Sequence, residues 1–142
     1  MPITYRVKML PEESILIVKY LYPALETQLM FEYITGEIVG LMDEMDLETV
    51  YRINDFTSLN KREIYQSVTE AMAYELQGKP GTSTDPRLLP VFVGNSDDVH
   101  RIVGEFNANL DGYFAPLFET QSEALDYVHA ELAQSSYETV QL

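Results

Sequence analysis

Apolar and polar positions change period along this chain. Ile3, Tyr5, Val7 and Met9 alternate with Thr4, Arg6 and Lys8, the two-residue period of an edge strand with one wet face. The stretch Ser14–Tyr22 is nearly continuous apolar, which predicts a strand covered on both faces. Between them Leu10-Pro11-Glu12-Glu13-Ser14 reads as a turn, because Pro11 presets φ and cannot continue a hydrogen-bonded ladder. The pair therefore predicts an antiparallel hairpin. After Pro23 the period lengthens to that of a helix, Ala24–Met45. Met30, Ile34, Ile38, Leu41 and Met45 form one stripe, and Phe31, Val39 and Met42 form a second beside it.

A strand–turn–helix design then recurs at Thr49–Ile64, Leu88–Val103 and Tyr113–Val128. Strands are expected at Val50–Phe56, Leu88–Val93 and Tyr113–Phe118. The capping boxes Asn60-Lys61-Arg62-Glu63 and Thr120-Gln121-Ser122-Glu123 start two helices, one to about Gln77 and one to about Ala133. Asn95 or Ser96 caps a third, to about Leu110, with Asp97 and Asp98 favourable to its dipole. Gly78–Pro86 is a loop by composition, and Gln134–Leu142 reads as a frayed polar tail. The order β-β-α-β-α-β-α-β-α implies an α/β domain. Its five-stranded sheet is mixed but mostly parallel, the first strand adding an antiparallel edge, and helices cover it.

A chain of 142 residues is expected to form a single domain, 1–142, with a core of ordinary size. Without cysteine it has no disulfide, thiol nucleophile or thiolate metal site. No signal peptide or membrane-spanning run is legible, so a cytoplasmic protein with no membrane partner is expected. The formal net charge of −14 repels phosphate backbones and argues against nucleic acid. It serves solubility or steers the chain towards a basic protein partner.

The candidate chemistry is sparse. Gly78-Lys79 lacks the spacing of a phosphate loop and follows a helix instead of preceding one. His100 and His129 each lie three residues after an aspartate, which suits surface pairs; no metal site or catalytic set emerges, and no cofactor is implied. Asn54 and Asp55 end the central strand and, with Thr57, Ser58 and Asn95, suggest a shallow polar site at the carboxyl edge of the sheet, which Glu119 also adjoins. Thr57 and Ser58 also suit satisfaction of turn amides. Gly36 and Gly40, four apart beside Tyr33, fit either tight packing on the sheet or a dimer interface along the first helix. The ten tyrosines suit core and rim packing or an interface.

Three places resemble the STAS superfamily of anti-sigma-factor antagonists and sulfate-transporter tails, in its branch of small bacterial STAS-like proteins. They are Asp55-Phe56-Thr57, Asp85-Pro86-Arg87 leading into Val91-Phe92-Val93-Gly94, and the closing Pro116–Leu125. The resemblance implies the α/β fold and a role through protein contact in bacterial regulation. The family's phosphorylatable Ser or Thr would fall near Glu63-Ile64, where no Ser-Gly follows, so the phosphoswitch is not carried over. The reading is a non-enzymatic protein, a homodimer with a possible regulatory protein partner. The alternative is a binder of small apolar ligands or lipids beneath Ala24–Met45. An enzyme built on Asp55 would need a second group with a separated pKa.

Overall fold

The computed structural model describes residues 5–21, 27–45, 49–59, 73–110 and 113–141. Its elements are β1 (Tyr5–Leu10), β2 (Ile15–Tyr20), α1 (Thr27–Met45), β3 (Val50–Asp55), β4 (Leu88–Val93), α2 (Asp97–Ala108), β5 (Leu117–Phe118) and α3 (Gln121–Gln141). The strands form one five-stranded mixed sheet in sequence order. β1 and β2 are antiparallel, with Arg6 opposite Lys19 and Lys8 opposite Ile17. The β2–β3, β3–β4 and β4–β5 pairs are parallel.

The hairpin turn is a 3-10 turn, Pro11–Glu13, closed by Ser14 in the left-handed region at φ 55°. The first capping box, Asn60–Glu63, and the position of the absent phosphoswitch lie outside the described residues. A helical stretch is described at 73–75, a turn follows at 76–77, and Gly78 then takes φ +71°.

Strand periodicity sorts the core into two layers. Leu16, Val18 and Tyr20 of β2, Val50 of β3, and Leu88 and Phe92 of β4 face α1 and α2, which bury Met30, Phe31, Ile34, Ile38 and Met42, and Val99, Ile102, Val103 and Phe106. Stacked rings bridge this layer: Tyr20 lies 4.6 Å from Phe56, Phe56 6.3 Å from Phe92, and Phe92 meets Phe106 edge-on at 5.2 Å. The opposite face carries Ile15, Ile17, Tyr51, Ile53, Val91 and Val93 against Ala124 and Val128 of α3.

Two boundaries differ from expectation. The last strand spans Leu117–Phe118 and not the whole of Tyr113–Phe118. Asn107 of α2 explains this: its amide donates to the Ala115 carbonyl at 2.9 Å and its Oδ1 accepts the Ala115 N–H at 2.7 Å. One side chain thus satisfies the backbone groups a strand neighbour would take. The tail Gln134–Gln141 continues α3 and is not frayed. Neither Gly nor Pro interrupts it, and each added residue extends an existing ladder by one hydrogen bond.

Candidate functional site

The polar residues at the carboxyl edge of β3 do not converge. Consecutive strand residues point to opposite faces. Asn54 faces the α1 side, where its Nδ2 donates to Ser83 Oγ at 3.3 Å. Asp55 faces the α3 side: Oδ1 accepts the Thr57 N–H at 2.9 Å and the Thr57 hydroxyl at 2.6 Å, and Oδ2 accepts Gln121 Nε2 at 2.9 Å. Both carboxylate oxygens are thus engaged in folding the turn and tying α3 to the sheet. Ser58 and Asn95 are exposed and no hydrogen bond joins either to Asp55, while Ser96, not Asn95, caps α2 through Val99 N–H at 3.2 Å. Glu119 is exposed beyond β5.

The two histidines also differ from expectation. His129 pairs with Glu13 of the hairpin turn at 3.3 Å and not with Asp126, and no ion pair joins His100 to Asp97 among the described residues. Among the described residues no group of three or more His, Asp or Glu is placed to hold a metal ion, and no helix is long and apolar enough to cross a membrane.

The densest polar constellation is one the sequence reading missed. Arg52, in the middle of β3, is 0% exposed. Its Nη1 donates to Glu75 Oε2 at 2.8 Å and to the Gly81 carbonyl at 3.0 Å, and Nη2 lies 2.6 Å from Glu75 Oε1. Nη2 also reaches the Tyr20 hydroxyl at 3.4 Å. Glu75 in turn accepts the Ser83 N–H, and its carbonyl accepts the Thr84 hydroxyl. Arg52 Nε and Asn54 Oδ1 are buried with no hydrogen-bond partner among the described residues. Burial alone would lower the Arg52 pKa, but the Glu75 carboxylate beside it, with Tyr20, raises it. Burial pushes the Tyr20 phenol far above its ordinary value, so it stays neutral. The signal available in the sequence was an arginine inside the apolar strand VYRIND, which cannot be buried without a countercharge.

This cluster is a clamp on residues 78–87, and a second carboxylate finishes it. Asp85 accepts the Gly81 N–H at 2.8 Å and the Arg87 N–H at 2.9 Å, and its Oδ2 meets Arg87 Nη2 at 3.0 Å. Arg87 reaches on to Asp43 of α1 at 3.3 Å. Burial pushes the Asp85 pKa upward, but the Arg87 side chain and the Arg87 and Gly81 amides outweigh it and hold the carboxyl below its ordinary value. A carboxyl with a lowered folded pKa stabilises the fold above its unfolded pKa. That contribution is lost as pH falls through the folded value. Asp85→Asn should therefore flatten the acid limb of stability below about pH 4. Urea midpoints taken across that range check this; parallel curves for variant and parent would refute it.

The arrangement binds backbone to backbone through side chains. It offers no exposed pair of acid and base, and Arg52 and Glu75 are closed off from solvent. The chain matches no family model, no curated protein and no solved structure in comparisons with each.

Proposed function

We propose that this chain is a non-enzymatic, STAS-like protein that acts through protein–protein contact, as a homodimer, in bacterial regulation. The observation that carries the reading is the outer face of α1. Leu29 and Tyr33 are 42% and 63% exposed there. Gly36 and Gly40 continue the same stripe, and a Cβ placed on either would meet nothing within 4 Å. Of the two readings of these glycines, tight packing on the sheet is not found among the described residues; both are exposed, which supports the interface reading. Residues 29, 33, 36 and 40 follow the three-and-four spacing of one helix face, so two copies of α1 can cross closely there. The use of both Asp55 oxygens in turn and helix bonds supports a structural role for the carboxyl edge of β3. Filling of the space beneath α1 by Phe31, Ile34, Ile38 and Met42 favours contact over carriage of an apolar ligand.

Light scattering coupled to size exclusion at tens of micromolar tests the reading. A dimer is expected, and Tyr33→Glu should convert it to a monomer. Gly36→Ala should raise helix stability by roughly 0.5–1 kcal/mol within one chain while weakening the dimer, because the added methyl occupies the line of approach. A monomeric parent chain, or a dimer indifferent to both changes, would count against it.

A further inference from the structure

The chain is strongly acidic, yet one of its surfaces is not. Among the described residues, Arg52, Arg87 and Arg101 are ion-paired and Lys79 lies 5.2 Å over the Tyr74 ring. Arg6, Lys8 and Lys19 form no ion pair there. All three fall on the same face of the β1–β2 hairpin: Tyr5, Val7 and Met9 pack towards α1, and Ile15 and Ile17 towards α3, which leaves Arg6, Lys8 and Lys19 on the α3 side. Arg6 and Lys19 are direct cross-strand partners. Such partners have Cβ atoms about 5 Å apart, and like charges so placed repel. Lys8 follows Arg6 by roughly 7 Å along the strand.

Among the described residues no ion pair neutralises Arg6 or Lys8. Asp55, the register partner of Lys19 across β3, accepts from the neutral donors Thr57 and Gln121 and so keeps its charge; it offsets Lys19 in part without forming an ion pair with it. Glu13 is paired with His129, and Asp126 is exposed on α3 without an ion pair to the hairpin. The fold thus keeps a repulsive cluster of cations in a molecule of net charge −14.

The cluster borders an open edge. β1 is the terminal strand of the sheet, and among the described residues no strand lies beyond it. Its outward N–H and C=O groups form a template for one more strand. The exposed Arg6 and Lys8 discourage self-pairing: antiparallel addition of two β1 strands centred on Val7 would set Arg6 of one copy against Lys8 of the other. The same charges favour an acidic visitor.

We propose that the open edge of β1 docks an extended acidic segment of another protein, which adds as a strand and sets Asp or Glu side chains beside Arg6 and Lys8, with Lys19 one strand further in on the same face. The half-buried Tyr5, Val7 and Met9 line the other face of the same strand, so the visitor alternates acidic and apolar residues. Main-chain bonds supply affinity, and the local charges supply selection at close range. This deepens the protein-contact reading above but uses a different surface from the α1 stripe.

Titration of the isotope-labelled full chain with a capped peptide of alternating Glu and Val tests it by amide shifts. Shifts are expected on β1 and β2, with binding weakened about tenfold or more by Arg6→Glu with Lys8→Glu, and weakened by added salt. Lys8→Gln, a milder change at an exposed site, should weaken it about threefold and guards against misfolding of the double variant. A peptide of alternating Lys and Val should not bind. No shift at millimolar peptide, equal affinity for the charge-reversed chain, or shifts confined to α1 would overturn the proposal. So would binding of phosphatidylserine vesicles or inorganic phosphate to this edge in place of the peptide. A monomeric chain that binds the peptide keeps this inference and removes the dimer; a dimer that ignores the peptide does the reverse.

Discussion

Glu75→Ala should destabilise the chain by about 3–5 kcal/mol, a large part of the roughly 5–15 kcal/mol that holds an ordinary domain together. The reason is the burial of its partner. Arg52 is wholly enclosed in β3, and among the described residues Glu75 alone balances its charge, through two contacts of 2.8 and 2.6 Å. Removal of the carboxylate leaves the guanidinium with the Gly81 carbonyl and the Tyr20 hydroxyl, two neutral partners. It also strips the Ser83 amide of its acceptor. The double change Arg52→Met with Glu75→Leu removes both charges at similar volume and should cost less than Glu75→Ala, because no uncompensated charge stays buried; what remains is the loss of partners for the Ser83 amide and the Gly81 carbonyl. Urea unfolding followed by circular dichroism measures both. A loss below about 1 kcal/mol for Glu75→Ala, or equal losses for the single and double variants, would show that the pair does not carry this layer.

The clamp also explains which parts of the molecule were legible beforehand. The hairpin, α1, β3 and β4 follow from hydrophobic period alone, since each element buries one repeating set of side chains. The period of a strand also separates Asn54 from Asp55. Grouping them as one site counted their distance along the chain and not their parity. The short β5 was not legible, because its cause is a side-chain contact: Asn107, eight residues before Ala115, takes up both backbone groups of that residue. Nor was the pairing of Arg52 with Glu75, which lie 23 residues apart. Strand periodicity shows that Arg52 faces the helices, but only the folded path of residues 73–85 shows what meets it. The cationic face of the hairpin was half legible. Arg6 and Lys8 alternate visibly, whereas Lys19 joins them only through the antiparallel register.

Gly81→Ala should be the second most damaging single change, costing roughly 2–5 kcal/mol, and two independent effects combine to produce it. The first is conformational. Gly81 has φ +86°, and a side chain in the left-handed half of the map costs about 1–2 kcal/mol. The second is steric. A Cβ at this position would lie 2.6 Å from the Thr35 carbonyl oxygen and 3.1 Å from Thr35 Cα, both backbone atoms of α1. A helix backbone cannot yield as a long side chain does, so the loop must move off α1, and overpacking of this kind typically costs about 1–3 kcal/mol. That movement is not local in effect, because the Gly81 carbonyl accepts from Arg52 and its N–H donates to Asp85. Gly78→Ala is the internal control. It shares the positive φ, at +71°, but an added Cβ meets nothing within 4 Å. Its cost should stop at the conformational part, about 1–2 kcal/mol. The difference between the two variants in urea unfolding therefore isolates the contact between the loop and α1. Equal losses at the two glycines would mean that the loop shifts freely, and the clamp built on Arg52, Glu75 and Asp85 would then be too weak to fix its path.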